Sequence, residues 1–118
     1  MKFNQFEGKR VFVTGHTGFK GSWLTAWLVR LGAIVSGLSD RIPTSPAHFE
    51  AARMDGRLSH HLGDIRDLAC VVRLIKSEQP DFVFHLAAQP LVRRSYIDPN
   101  LTIATNVMGT ANVLEALR

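Results

Sequence analysis

Short apolar runs alternate along this chain with stretches whose apolar residues fall three and four positions apart. Residues 10–14 (RVFVT) are a β-branched and aromatic run that stops at Gly15, the mark of a buried strand. Beyond a glycine-rich turn, Trp23, Leu24, Trp27, Leu28 and Leu31 share one helical face. A helix over 22–31, with both tryptophans in the core and Gly32 as its stop, is therefore expected. A second strand follows at 33–38 (AIVSGL), then a loop over 39–45 and a short helix over 46–53 opened by Pro46 at its first position. Residues 58–62 make a weaker third strand. Asp64 or Asp67 caps the next helix, which runs through Leu68, Val71, Val72, Leu74 and Ile75 and stops before Pro80. Residues 81–86 (DFVFHL) are a fourth strand, the stretch around Tyr96 a loop, and 98–118 a helix. That last helix has Pro99 in its first turn and Ile103, Val107, Val113, Leu114 and Leu117 as its apolar positions.

Strands alternating with helices, through connections too long for hairpins, require parallel β-α-β units with right-handed crossovers. The fold class is α/β: a Rossmann-type doubly wound parallel sheet of about four strands with flanking helices, incomplete as a full sheet. The first strand is expected at the centre, with the second and third to one side and the fourth to the other. Ligands of such sheets sit at the carboxyl ends of the strands where the strand order reverses. Gly15, Ser39, Asp64 and Leu86 then line one edge of one crevice.

Composition narrows the function. The chain has 118 residues, 46% apolar and 20% charged, which suits one domain with its own core and excludes disorder and coiled coil. The single cysteine, Cys70, can make neither an internal disulfide nor a cysteine metal cage, so a reduced cytoplasm is the expected compartment. His60 and His61 are adjacent and point to opposite faces of a strand, which disfavours a shared metal. The net charge of +4 comes from scattered basic residues without interleaved aromatics, so no nucleic-acid partner is expected. The opening MKFNQFEGKR lacks the apolar run of a signal peptide, and no later stretch approaches a membrane span.

The chemistry concentrates in residues 14–21, TGHTGFKG, set between a strand and an amphipathic helix. Gly15 permits a tight turn, Gly18 a close approach of backbone to a pyrophosphate, and Gly21 close packing of helix on sheet. The helix N-terminus adds free N–H groups and the positive end of a dipole. A phosphate-loop NTPase is excluded, because Lys20 precedes the last glycine instead of following it. His16 either faces solvent or edges the ligand.

These motifs, with GDIRD at 63–67, FHLAAQPLVRRSY at 84–96 and ATNVMGTANVLEALR at 104–118, resemble the extended short-chain dehydrogenase/reductase family of nucleotide-sugar dehydratases and epimerases. The resemblance spans nearly the whole chain. It implies a tightly held NAD, a nucleotide-sugar substrate in the full-length enzyme, and leaves a homo-oligomer open. It further implies that Gly15, Thr17, Gly18, Phe19, Lys20 and Gly21 hold the cofactor pyrophosphate. Asp64 and Ile65 then meet adenine, the carboxylate accepting from its amino group and the next backbone N–H donating to the ring. Leu86, Ala87, Ala88 and Gln89 lie along the ribose and nicotinamide side, and Thr105 contacts the cofactor, whereas Asn106 ties backbone segments together. Arg93 or Arg94 meets a substrate phosphate or is a surface charge.

Two departures matter. An acid near the end of the second strand, roughly 20 residues beyond the glycines, ordinarily takes the ribose hydroxyls of NAD. Ser39 aligns there with Asp40 next to it: Asp40 in that role selects NAD, whereas Ser39 and Arg41 facing the ribose would admit NADP. The resemblance also implies a Tyr with a Lys four residues later, the Lys charge lowering the phenol's pKa so that it can take a proton. Here the only Tyr is Tyr96, with Asn100 four residues on, so no catalytic residue is assigned and Tyr96 is read as a pocket or packing residue. The chain is accordingly expected to be the N-terminal cofactor-binding region of a longer enzyme. As it stands, it could be a silent nucleotide-binding module.

Overall fold

The computed structural model describes residues 4–118; Met1–Phe3, the start of the opening segment, lie outside the described residues. Strand β1 spans Arg10–Thr14, and helix α1 Phe19–Arg30. They are followed by β2 (Ile34–Ser39), a one-turn α2 (His48–Ala51), β3 (Ser59–Leu62), α3 (Leu68–Glu78) and β4 (Phe82–His85). The four strands form one parallel sheet in the order β3-β2-β1-β4, with β1 interior as its apolar run requires. Val11, Phe12 and Val13 are completely buried, which is the expected consequence of covering a parallel strand on both faces.

The two faces have separate cores. On one, Phe12, Leu38 and Ile65 pack with Val71, Leu74 and Ile75 of α3 and with Val113; on the other, Val11, Val13 and Val35 pack with Leu28 of α1. Asp67, not Asp64, caps α3, its carboxylate accepting from the Cys70 N–H at 3.2 Å. Gly32 takes the left-handed backbone that ends α1, φ 81°.

The strand assignments agree with the sequence pattern to within a residue or two at each end, and the helices depart from it in four places. First, α1 starts at Phe19 and turns Gly21, Ser22, Thr25 and Leu28 to the sheet. Trp23 and Trp27 are about half exposed, and Trp23 stacks on the His48 ring at 3.9 Å. The expected tryptophan core is therefore corrected: a helix drawn tightly onto a sheet takes small side chains on the contact face and displaces large rings to its flanks. Second, α2 begins at His48 behind an extended Ala47, so Pro46 precedes the helix instead of opening it. Third, Tyr96 stands on a helix, α4 (Val92–Ile97), and not in a loop, and at 84% exposure it is not a packing residue. Finally, the last helix is α5 (Pro99–Ile103), a π-helical turn at Ala104–Met108 and α6 (Gly109–Leu117) in succession, with Asp98 accepting from the Leu101 N–H as its cap. Of its expected apolar positions only Val113 is buried; Ile103, Val107, Leu114 and Leu117 are exposed. No helix among the described residues is long and apolar enough to cross a membrane.

Candidate functional site

The crevice is built where the chain leaves β1. Gly15 takes a left-handed backbone, φ 76°, and lies so close to the turn after β4 that an added Cβ would stand 2.7 Å from the Ala87 nitrogen. On the first turn of α1, a Cβ at Gly21 would run into the Gly15 carbonyl oxygen. The missing side chains let the helix start sit directly on the strand end. Gly18 is the N-cap, in an extended conformation, and no side chain caps the helix. An uncapped helix of 12 residues opening on a loop without Cβ atoms at 15, 18 and 21 is a cradle for anionic oxygens. Phe19 and Lys20 are exposed at its rim.

Thr17 fastens this loop to the end of β2: its hydroxyl donates to the Arg41 carbonyl at 2.5 Å and its N–H to the Ser39 hydroxyl at 3.3 Å. Ser39 is thereby turned inward, 5% exposed, and also hydrogen-bonded to His16 Nδ1 at 3.2 Å. The exposed acid at this strand end is Asp40, whose carboxylate lies 3.7 Å from the Arg41 guanidinium. Ser39 thus faces the protein, whereas Asp40 and Arg41 both face the solvent.

The expectation that His16 faces solvent or edges the ligand is corrected: the ring is completely buried. Its Nε2 is 2.6 Å from His60 Nδ1 and its ring meets Phe49 edge-on at 5.4 Å. The ring occupies the space that a side chain at position 37 would need, since a Cβ on Gly37 would overlap it. Burial, and then the neighbouring His60, hold the His16 pKa down to about 4. The second histidine of the adjacent pair, His61, turns the other way and meets Glu78 at 2.8 Å, as alternation along a strand dictates.

At the end of β3, Asp64 accepts from Arg66 through both carboxylate oxygens, at 2.6 Å from Nη2 and 2.8 Å from the backbone N–H. The Arg66 side-chain hydrogen bonds hold this carboxyl below its usual range. The Ile65 side chain is buried against Gly109, leaving only its backbone for the crevice. At the end of β4, the Leu86 and Ala87 N–H groups both donate to the Thr14 hydroxyl at 3.1 Å; Ala88 is exposed beyond them. Asn106 does tie two segments together, accepting from the Gln89 N–H at 2.8 Å and donating to its carbonyl at 3.1 Å. The Gln89 amide spans Leu91 and Thr102. Thr105 is half-buried on the π-helical turn beside Asn106, a helix irregularity that recurs at functional sites. Arg93 and Arg94 flank an open apolar hollow with Leu91, Val92 and Ile97.

Two partly buried networks carry no clear signal in the sequence, His16 with Ser39 and His60, and Thr14 with His85. Thr14 and His85 are direct register partners of β1 and β4. Polar residues at the ends of two apolar strands are the only trace of this in the sequence.

Fold and crevice together define a Rossmann-type α/β protein of the epimerase and dehydratase class. The chain belongs to the family described as GDP-mannose 4,6 dehydratase, which matches residues 12–118. It is 53% identical over 98% of its length to a CDP-glucose 4,6-dehydratase from Salmonella typhimurium, of which it covers 32%. An epimerase from Methanothermobacter thermautotrophicus superimposes with a TM-score of 0.84 at 34% identity, covering 98% of this chain and 33% of that one. A Thermus thermophilus UDP-glucose 4-epimerase in complex with NAD gives 0.79 at 34% identity, covering 91% and 33%. The chain thus spans about a third of the length of the relatives it matches.

Proposed function

We propose that this chain is the N-terminal cofactor-binding part of a CDP-glucose 4,6-dehydratase and that its cofactor is NAD. The observation that carries the reading is the glycine loop: Gly15, Gly18 and Gly21 seat an uncapped helix N-terminus on the carboxyl edge of the sheet, with an exposed Asp40 at the neighbouring strand end. Support for the dehydratase, and for CDP-glucose over other nucleotide sugars, comes from the 53% identity to the Salmonella enzyme against 33% to a Yersinia GDP-mannose 4,6-dehydratase.

In this reading the loop from Gly15 to Gly21, with Thr17, Phe19 and Lys20, holds the pyrophosphate. Asp40 accepts from the adenosine ribose hydroxyls, and a 2′-phosphate would meet its charge. Asp64 and the Ile65 N–H take adenine, while Leu86, Ala87, Ala88, Gln89 and Thr105 flank the ribose and nicotinamide. The chemistry NAD supplies there is to accept hydride from C4 of the sugar and, once water has left across C5 and C6, to return it to C6, giving CDP-4-dehydro-6-deoxyglucose. No Tyr-x-x-x-Lys pair stands among these 118 residues, so the chain by itself binds and orients without turnover. Cys70 is buried and unpaired, in keeping with a reducing cytoplasm.

Calorimetric titration of the chain with NAD and with NADP tests the cofactor. NAD is expected to bind one to one and NADP more weakly; NADP binding as tight or tighter overturns the assignment. Replacing the ribose acceptor, Asp40→Ala, is expected to weaken NAD about tenfold, the worth of roughly one charge-assisted hydrogen bond, and to narrow the preference over NADP. For the whole enzyme, a rate comparison with CDP-glucose and dTDP-glucose decides the substrate, and a preference for dTDP-glucose rejects this reading.

A further inference from the structure

The second network, partly buried, reaches the segment proposed to flank the nicotinamide. Thr14 Oγ1, at the end of β1 and completely buried, stands 2.6 Å from His85 Nδ1. His85 Nε2 stands 2.9 Å from Thr110 Oγ1. Thr110 in turn donates its hydroxyl proton to the Asn106 carbonyl, four residues back, at 2.7 Å, and Asn106 holds the backbone of Gln89 from both sides.

Counting protons leaves one arrangement. The Thr14 hydroxyl oxygen accepts the Ala87 amide proton and a share of the Leu86 one, which also reaches the Thr14 carbonyl at 3.0 Å; so engaged, the hydroxyl turns its own proton toward His85. Nδ1 is therefore the acceptor and carries no proton. Thr110 has given its proton to Asn106, so it can only accept from His85, and Nε2 carries the hydrogen. Burial, which disfavours the charged ring, acts in the same sense by lowering the His85 pKa.

We propose that His85, as the neutral imidazole protonated at Nε2, is a positioning residue that clamps the turn after β4 and the π-helical turn to the end of β1. The link runs from the strand end through one ring to Thr110, and from there through Asn106 to Gln89. It sets both walls of the crevice at once, Leu86 to Gln89 on one side and Thr105 on the other. An imidazole protonated at Nδ1 would present a hydrogen to an oxygen already engaged by these amides, and would leave Leu86 on the Thr14 carbonyl alone.

The consequence for the cofactor rests on the NAD reading above, but the clamp itself is read without any ligand. Nitrogen-15 correlation spectra of the imidazoles in the chain at neutral pH are expected to show His85 as the Nε2–H tautomer. In His85→Phe, exchange of the Ala87 amide, held by the Thr14 hydroxyl, is expected to quicken at least tenfold, with the far-ultraviolet circular dichroism retained. His85→Asn places an acceptor where Nδ1 stood and is expected to restore most of that protection. Thr110→Val removes the Nε2 acceptor and is expected to give a mixture of tautomers. His85 found as the Nδ1–H tautomer or as imidazolium, or unchanged amide exchange in His85→Phe, overturns the proposal. With NAD, His85→Phe is expected to bind about tenfold more weakly than the unaltered chain. Should the unaltered chain bind no NAD, the cofactor reading fails, while the tautomer and the exchange rates still decide the clamp.

Discussion

Gly21→Ala is expected to cost about 3 kcal/mol of stability and to abolish measurable NAD binding in the micromolar range. The single added methyl would run into the Gly15 carbonyl oxygen, a backbone atom flanked by the close approach of Gly15 to Ala87. No rotamer relieves such a contact, because a Cβ has no torsion of its own. Either α1 slides outward, opening the core around Leu28, Val11 and Val13, or the strand-end turn is displaced. Overpacking with backbone movement typically costs 1–3 kcal/mol, and this site lies at the upper end because both neighbours are main chain. Either movement takes the helix N–H groups away from the loop. Urea unfolding and calorimetric titration of the same preparation check the two parts. A variant that keeps both stability and NAD affinity would mean that the helix start is not held against the strand end.

The stability of the chain is expected to fall steeply between about pH 6.5 and pH 4, and His16 is expected to carry much of that fall. In the folded chain this ring is buried, next to His60, with its pKa lowered from 6.5 to about 4. At pH 7 the ring is neutral in both folded and unfolded states, and its full contribution is present. As the pH drops below 6.5 the unfolded chain takes up a proton that the folded one refuses, so unfolding is favoured; the loss levels off once the folded ring also protonates, near pH 4. The pKa interval corresponds to on the order of 3 kcal/mol. His60 and His85, both lowered chiefly by burial, act in the same direction. Urea midpoints measured from pH 7.5 to pH 4 for the chain and for His16→Gln check this: the variant, which cannot titrate, should show a clearly shallower decline. An identical decline in the two would remove His16 from the account.

The strands and their order were legible because the evidence for them is local. The runs RVFVT, AIVSGL and DFVFHL are each short, apolar and bounded by glycine or a polar residue, and the connections between them are too long for anything but crossovers. The glycine loop was legible from its place between a strand and an amphipathic helix, and Gly18 and Gly21 answer to the loop's own backbone, whereas the approach of Gly15 to Ala87 comes from the sheet. Asn106 was placed as a tie between segments by resemblance, and its two hydrogen bonds to Gln89 are that tie. The helix faces were less legible. In α1, apolar spacing pointed to Trp23 and Trp27, but the contact face is Gly21, Ser22, Thr25 and Leu28. Spacing identifies which residues share a face and carries no information on how near the helix axis must come to the sheet.

The sequence alone determined that this is a parallel α/β chain with a glycine-bearing strand-to-helix turn at the carboxyl edge of the sheet. Chain-local rules suffice for that: strand propensity, crossover handedness and the sterics of a missing Cβ. Only the tertiary structure decided that Ser39 turns inward and leaves Asp40 as the exposed acid, that His16 is sealed beneath the loop against His60 and Phe49, and that His85 joins Thr14 to Thr110. Each depends on partners 22 to 71 residues away along the chain. A hydrogen bond between such partners is set by where the sheet register and the helix packing bring their atoms, which no run of neighbouring residues records.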